Sequence, residues 1–318
     1  MAQPQSTPIT AGQRATAFAF AFEQEFCRQS AGKRGEVKLI EALRDTFERL
    51  SPMFAVEVFH GSKYQVFFPQ QTFPWSRPQP RCELCDLLVV TFRPPPSLLM
   101  RMTFLQAKVH HGCDITSPLR ANLEQWELLG TRPPIRGVAK KFRPPANLLS
   151  DSAFGSIGSF GFFWQPLGTD WELCYHAANH LFPVPSGSSL QARVGRAPNW
   201  PHRCGAWQMT HGLEECVSAA GSRLFGWCAY RGAVGAPIHR LPKAPGEAHR
   251  NLCRWWLAGT LDRLLAEPGS ADEHPHSAAL RELLRRDTDR PTEPLVPASG
   301  SLNVVVLRAA EDMAPPRG

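Results

Sequence analysis

The amino-acid sequence predicts an α/β fold. Two observations carry this prediction: apolar residues recur at helical spacing before residue 50, and two apolar runs typical of strands lie between residues 84 and 109. A further helical pattern follows these runs, so that helices and strands alternate along the chain. From about residue 142 Gly, Pro, Trp and His become more frequent, and we expect an additional C-terminal α+β region there.

The N-terminal part of the chain predicts a flexible arm followed by two helical segments. The arm covers residues 1–15, and helical character runs from Thr16 to Leu50 with a break near QSAGKRG. The second segment, GEVKLIEALRDTFERL, places its apolar residues on one helix face at spacings of three and four: Val37, Ile40, Leu43, Phe47 and Leu50. Glu36 stands at the start of this helix, where a carboxylate interacts favourably with the helix dipole.

Four strands are predicted next. FAVEVFHGSKYQVFF has the form of a hairpin of two short strands around HGSK. LCDLLVVTF and LLMRMTFLQAKV predict two further strands, and the RPPPS between them requires a turn because Pro does not continue a sheet interior. We therefore expect these two strands to be antiparallel neighbours. LRANLEQWELLG then predicts a helix that ends at Gly130.

The C-terminal part carries fewer clear patterns. HRNLCRWWLAGTLDRLLAE and SAALRELLRRD predict helices, and SLNVVVLRAA predicts a final strand. We divide the chain into the arm at 1–15, a core at 16–145, and an accessory or partner-binding region at 146–318.

Polar residues interrupt the two central strands. Asp86 precedes the apolar run of the first strand, and Gln106 and Lys108 stand at the end of the second. Residues i and i+2 of a strand share a face, so Gln106 and Lys108 are expected to emerge together, opposite Asp86. A carboxylate and an amide oxygen that converge in this way suit Mg²⁺, and an ammonium beside them can orient a water or stabilise charge on a phosphate.

This arrangement resembles the PD-(D/E)xK nuclease superfamily, whose restriction-endonuclease-like fold is a small mixed sheet flanked by helices. The resemblance covers roughly residues 30–130 and follows the order of Glu36, Asp86, the Gln106-Ala107-Lys108 sequence and Gln125. It implies a metal-dependent nuclease, with Mg²⁺ or Mn²⁺ held by Asp86 and Gln106. Lys108 would serve the attacking water, and Glu36 would act as a secondary ligand or base.

The same resemblance implies partners and a context. Such nucleases hydrolyse phosphodiester bonds in DNA, commonly in bacterial restriction, repair or phage defence, and those that cut both strands often act as homodimers. Gln125 resembles the helix Gln of the RecB-type Q-x-x-x-Y motif, although Leu129 stands where that motif has Tyr.

Gln106 departs from the family pattern, which has Glu at this position. A neutral amide attracts a divalent ion less strongly than a carboxylate. Glu83 could supply the missing charge if the chain bends to bring it back toward Asp86. Otherwise the chain is a catalytically silent nuclease-like module that binds nucleic acid or a protein partner.

The charge balance favours a polyanionic partner. The net charge is +7 and the isoelectric point is near 9.1. Lys140, Lys141 and Arg143 form a basic strip that would suit phosphate contacts, although a solvated loop explains them equally well.

A structural zinc site is the other alternative. Cys82 and Cys85 form a C-x-x-C pair, and His110, His111 and Cys113 follow the second strand. Two sulfurs with a His and a further Cys could complete a tetrahedral site in a zinc-stabilised interaction protein.

Each candidate site residue also has a purely structural explanation. Asp86 could terminate a strand, and Lys108 could protect a sheet edge against aggregation. Glu36 could complement its helix dipole, and Gln125 could be solvated.

The cysteines and the apolar runs indicate a cytoplasmic protein with no membrane segment. The nine cysteines are scattered and odd in number, as is typical of reduced proteins. No apolar run approaches the roughly 20 residues that a spanning helix needs.

Overall fold

The computed structural model describes residues 10–50, 56–58, 65–69, 79–93, 99–112, 118–140, 142–150, 152–185, 187–192, 206–239, 247–264, 275–286 and 304–308. The helices are α1 (Ala11–Ser30), α2 (Glu36–Arg49), α3 (Leu123–Trp126), α4 (Ser222–Tyr230), α5 (Glu247–Leu264) and α6 (Pro275–Arg286). The strands are β1 (Val56–Val58), β2 (Gln65–Phe67), β3 (Arg81–Glu83), β4 (Leu87–Arg93), β5 (Leu99–Val109), β6 (Leu119–Arg120), β7 (Arg136–Gly137), β8 (Gly158–Trp164), β9 (Glu172–Ala177), β10 (Leu181–Pro183), β11 (Ser189–Ala192), β12 (Ala206–Thr210), β13 (Leu213–Ala220), β14 (Ala236–Pro237) and β15 (Val304–Arg308).

A mixed nine-stranded sheet organises this α/β fold. Its strand order is β1-β15-β4-β5-β8-β9-β13-β12, and β14 pairs with β5 beside this path. The β15–β4 and β5–β8 pairs are parallel, whereas the other pairs are antiparallel. Because β5 pairs with β8 and β15 pairs with β4, the sheet continues from the predicted core into the region after residue 145.

Helices cover both faces of this sheet. Alternate residues of β4 enter two separate hydrophobic clusters: Leu88 and Val90 pack with α5 and α6, and Leu87 and Val89 pack with α1, α2 and α4. A strand that is buried on both faces must be apolar throughout, which explains the continuous LLVV run in the sequence.

The predicted strands β4 and β5 are confirmed as antiparallel neighbours, with Leu87 opposite Leu105 and Arg93 opposite Leu99. The predicted hairpin around HGSK is wrong. Both of its strands form, but β1 pairs with β15 while β2 pairs with β3 and β7 in a separate three-stranded sheet. The connecting residues 59–64 lie outside the described residues.

The N-terminal helix begins earlier than the sequence predicts. Thr10 and Gln13 form a capping box in which the Thr10 side chain accepts from the Gln13 backbone and the Gln13 side chain accepts from the Thr10 backbone. Residues 11–15 of the predicted arm are therefore helical, and Ala15 is buried. Residues 1–9 of the arm lie outside the described residues.

The buried face of α2 is rotated relative to the prediction. Leu39, Leu43 and Phe47 are buried, whereas Val37 is 70% exposed. The rotation leaves Glu36 partly exposed at the helix start.

The remaining predicted elements follow the sequence patterns. Helices α5 and α6 and strand β15 form where they were predicted. The helix predicted before Gly130 begins as α3 and continues as a π-helical turn over Glu127–Thr131. Within the described ranges, none of the helices combines the length and the apolar character that crossing a membrane requires.

Candidate active site

Two neighbouring strands bring Asp86 to the end of β5. The Asp86 backbone N–H donates to the Leu105 carbonyl at 3.0 Å, and its Oδ2 accepts from the Ala107 N–H at 2.7 Å. Strand β4 begins one residue later, whereas β5 continues to Val109. Asp86 therefore bonds to β5 at the point where β5 extends beyond the start of β4, and the backbone of β5 holds its carboxylate.

Lys108 lies between two carboxylates. Its Nζ is 3.3 Å from both oxygens of Glu36 and 3.6 Å from Asp86 Oδ2, and it also donates to the Ala107 carbonyl at 2.5 Å. The Lys108 and Asp86 side chains are only 17% and 12% exposed, so water screens this pair less than it screens a surface pair. Three of the residues selected from the sequence thus meet at one place.

The carboxylates at this place hold their protons more tightly than usual. Burial is the main cause that raises the pKa of both Glu36 and Asp86, and the Lys108 charge offsets it in part. Burial also raises the pKa of Glu83, and the negative charge of Asp86 adds to the effect. Glu36, Glu83 and Asp86 therefore form an electrostatically coupled group in which the positive charge of Lys108 only partly compensates the negative charge.

A bend in the chain explains how Glu83 joins this group. Glu83 ends β3, which belongs to the three-stranded sheet β3-β2-β7, and the chain then turns through residues 84–86 before β4 enters the large sheet. The change of sheet removes the strict alternation that would have placed Glu83 and Asp86 on opposite faces.

Gln106 lies deeper than the sequence suggests. Its side chain is fully buried, its Nε2 donates to the Glu83 carbonyl at 3.2 Å, and its Oε1 is buried with no hydrogen-bond partner among the described residues. Gln106 thus contacts the segment that carries Glu83, and its buried Oε1 is left without a hydrogen bond. An unsatisfied buried oxygen lowers the stability of the fold unless a donor or a cation binds it.

An open cavity of about 860 Å³ lies beside Lys108. Its lining includes Glu36, Lys108, His111, Arg120, Asn122 and Gln125. Gln125 was selected from the sequence, and its Oε1 is buried with no partner in the described part of the chain.

Sequence reasoning missed Arg120 and Asn122 in this wall. The Asn122 Oδ1 accepts from the backbone of Glu124 and Gln125 and so begins α3. An Asn directly before a helical pattern is a recognisable N-cap signal. This signal would have predicted that the helix starts after Asn122 and that Arg120 lies just before it.

The basic strip lies outside the cavity wall. Lys140 and Arg143 are exposed, and the Arg143 Nε donates to the Lys140 carbonyl at 3.2 Å, whereas Lys141 lies outside the described residues. The strip follows β7 in the chain. The Val138 N–H donates to the Gln65 carbonyl, and Gln65 pairs with Glu83 across the small sheet. Lys140 is therefore near the end of the small sheet at which Glu83 stands.

The cysteines of the zinc alternative are buried. Burial raises the pKa of the Cys82 and Cys85 thiols, which favours the protonated form over the thiolate that binds zinc. Cys113 lies outside the described residues. Across the ranges given above, no three His, Cys, Asp or Glu side chains are already arranged around a single metal position.

The fold and the site define a mixed α/β protein with an acidic, lysine-containing site in its main sheet, at the point where β4 begins and β5 ends. No protein family, curated protein or solved structure matches the chain. The geometry of the site and the resemblance in its sequence motif therefore carry the functional argument.

Proposed function

We propose that this chain is a metal-dependent nuclease that hydrolyses DNA phosphodiester bonds and is built on a restriction-endonuclease-like core. One observation carries the proposal: the Lys108 ammonium lies 3.3 Å from Glu36 and 3.6 Å from Asp86 in the wall of an open cavity. Asp86 and Lys108 have the residue types and the chain order of the nuclease motif, and Glu36 corresponds to the additional helix Glu that some branches of the family carry.

The chemistry of the site fits Mg²⁺ or Mn²⁺. Glu36, Glu83 and Asp86 in their ionised forms, together with Lys108, sum to a formal charge of −2, from three negative groups and one positive group. Carboxylate and amide oxygens are the ligands that Mg²⁺ prefers, and the unsatisfied Oε1 of Gln106 is such an oxygen. Asp86, Gln106 and Glu83 would hold the ion, which when bound polarises the phosphate and lowers the pKa of a bound water.

Lys108 would stabilise the charge that develops on the phosphate. Its ammonium is positioned by Glu36, Asp86 and the Ala107 carbonyl, so little reorganisation is needed when a substrate oxygen replaces one of these contacts. Lys108 can also orient the attacking water by donating a hydrogen bond to it.

Glu36 would accept the proton of the attacking water. Its raised pKa makes it a stronger base than an exposed glutamate, and its partial exposure lets water reach it. Gln125 and Arg120 line the same cavity and would contact the DNA backbone, while Lys140 and Arg143 would extend this contact along the small sheet.

The position of Gln106 favours a second candidate, a silent module that binds DNA without cutting it. Its side-chain amide is used in a buried hydrogen bond to the Glu83 carbonyl, which is a structural role. In this case the basic residues and the cavity would still bind the DNA backbone.

A plasmid-degradation assay with Mg²⁺ or Mn²⁺ tests the proposal. The wild type is compared with Lys108→Ala and Asp86→Ala, and Lys38→Ala, an exposed lysine on α2, is the matched control. We expect both site variants to lose at least about 100-fold in cleavage rate while Lys38→Ala stays at the wild-type rate.

DNA binding measured in parallel separates the two candidates. Salt-sensitive binding by the wild type without cleavage in either metal supports the silent module. Unchanged cleavage in Lys108→Ala or Asp86→Ala would remove the proposed mechanism.

A further inference from the structure

A second cavity, separate from the candidate active site, is lined by tryptophans. It has a volume of about 580 Å³ and lies between α1, α4 and the ends of β8 and β9, near the edge strand β12. Its lining includes Trp164, Trp207, Trp227, Glu23, Glu172 and Arg223. The volume is in the range of small-molecule sites, and none of these residues belongs to the candidate active site.

Two of the tryptophans form an angled pair at the cavity. The rings of Trp207 and Trp227 lie 5.6 Å apart with an interplanar angle of 72°, and Trp207 is 38% exposed on the edge strand. In this edge-to-face arrangement the faces of the Trp207 and Trp227 rings point in different directions. Indole faces carry negative potential and attract cations more strongly than the other aromatic side chains do.

Glu172 places a carboxylate in the wall of the same cavity. Its Oε2 accepts from the Ser222 N–H at 2.7 Å, at the start of α4. The preceding residue, Gly221, has a φ of +104°, and a Cβ there would lie 3.4 Å from Glu172 Oε2. Glycine thus permits the turn into α4, because its positive φ is unfavourable for residues that carry a side chain.

The other charged residues of the cavity neutralise each other. Arg223 forms an ion pair with Glu23 at 2.5 Å and lies 4.0 Å from the centre of the Phe20 ring. The negative charge of Glu172 therefore remains in excess among the charged side chains of this wall.

The chain already uses cation–π contacts at this surface. The Arg231 guanidinium lies 4.6 Å from the centre of the Trp227 ring, and the Arg223 guanidinium lies over Phe20. Of these two rings only Trp227 lines the cavity, and its contact with Arg231 shows that an indole of this wall binds an organic cation supplied by the protein itself.

We propose that this cavity binds a small organic cation of the alkylated ammonium class. Aromatic walls favour a weakly hydrated, bulky cation over a strongly hydrated inorganic ion, and the Glu172 carboxylate supplies the counter-charge. A neutral ligand of the same shape lacks both attractions. The proposal does not depend on nuclease activity.

Choline and its uncharged isostere 3,3-dimethyl-1-butanol provide a matched pair of probes. We expect saturable choline binding to the full chain by calorimetry and by tryptophan fluorescence, and weaker or undetectable binding of the isostere. Trp207→Leu should weaken choline binding by about 2- to 30-fold, which is the range expected for loss of one cation–π contact.

Two more variants complete the test. Glu172→Gln keeps an acceptor for the Ser222 N–H, removes the charge and should also weaken choline binding. Trp255→Leu removes a tryptophan of α5 that does not line the cavity and should leave the affinity unchanged. Equal binding of choline and the isostere, no choline binding, or choline binding that neither cavity variant weakens would overturn the proposal. Circular dichroism spectra confirm that each variant is folded.

Discussion

The Lys108 Nζ lies 3.3 Å from both carboxylate oxygens of Glu36, which joins the end of β5 to the first turn of α2. The contact connects two elements that are distant in the sequence. It also brings the Glu36 carboxylate close enough to Asp86 for the negative charge of Asp86 to raise the Glu36 pKa. A substitution of Asp86 or of Lys108 is therefore expected to change the pKa of Glu36.

Glu36→Gln should change the pH dependence of DNA cleavage. If Glu36 accepts a proton, the wild-type rate falls as the pH drops through the Glu36 pKa, which burial raises above its usual value of 4.5. Glutamine cannot accept that proton, so the variant should be at least about 100-fold slower and should lose this acidic limb. The measurement is the cleavage rate as a function of pH for both proteins.

Glu41→Gln on the same helix is the control for this substitution. It changes the charge of α2 by the same amount at a residue outside the cavity wall. If Glu36→Gln keeps the acidic limb of the wild-type pH profile, another group is responsible for that limb and Glu36 is not the base.

Glu83→Gln should stabilise the protein at neutral pH. The pKa of Glu83 is raised by burial and by the Asp86 charge, so the folded state binds the proton more tightly than the unfolded state does. The free energy of unfolding therefore falls as the pH rises from the ordinary value of 4.5 through the raised pKa, and the loss persists at higher pH. Glutamine removes this loss, and we expect a Tm higher by about 1–3 °C at pH 7.

Thermal melts at two pH values check the sign of this effect. At a pH below 4.5 the wild-type carboxyl is already protonated, so the difference in Tm should disappear. Glu282→Gln, an exposed position on α6, is the control. A Glu83→Gln variant less stable than the wild type at pH 7 would show that the Glu83 charge stabilises the fold.

The sequence predicted the contact between Asp86 and Lys108 because both of its causes are local. Apolar runs define β4 and β5, and the sequence between Arg93 and Leu99 is too short for the long crossover that a parallel pair needs, so the two strands pair antiparallel. The presence of Glu36 in the site was predicted only from the motif resemblance, because no local pattern indicates which helix start lies against which strand end.

Other features depend on long-range pairing or on position along a strand. β1 pairs with β15 from the far end of the chain, and no local pattern distinguishes this pairing from a hairpin with β2. Gln106 and Lys108 share a strand face by alternation, and both lie beyond Leu105, the β5 residue that pairs with the first residue of β4. Gln106 is nevertheless fully buried and contacts the segment that carries Glu83, whereas Lys108 is 17% exposed in the cavity wall. Alternation predicts the face of a residue but not its depth.

Mg²⁺ should raise the Tm of the wild type, and Asp86→Asn should abolish most of that rise. A ligand that binds only the folded state stabilises it by about 2.7 kcal/mol at a concentration 100 times its Kd. Asparagine keeps an acceptor for the Ala107 N–H and removes the charge that would attract the ion. Melts with Mg²⁺ are compared with melts in Na⁺ at the same ionic strength, and an equal rise in both proteins would place the ion elsewhere.

Gln106→Glu tests whether the buried amide marks a metal position. An ionised glutamate cannot donate to the Glu83 carbonyl as the Gln106 Nε2 does, and its charge would be fully buried. In the absence of metal we expect the free energy of unfolding to fall by about 1–3 kcal/mol or more. The added carboxylate should also strengthen the attraction for a divalent ion, so Mg²⁺ should restore stability to a larger extent than it stabilises the wild type.

Gln106→Met separates the charge from the lost hydrogen bond. Methionine has a similar length and removes the same contact with the Glu83 carbonyl, but it offers no oxygen to a cation. Urea unfolding of the three proteins in EDTA and in Mg²⁺ should therefore show recovery in Gln106→Glu and none in Gln106→Met. If Mg²⁺ shifts the unfolding midpoints of both variants equally, the Gln106 side chain does not reach the ion, and its role is the hydrogen bond that holds the Glu83 segment against β5.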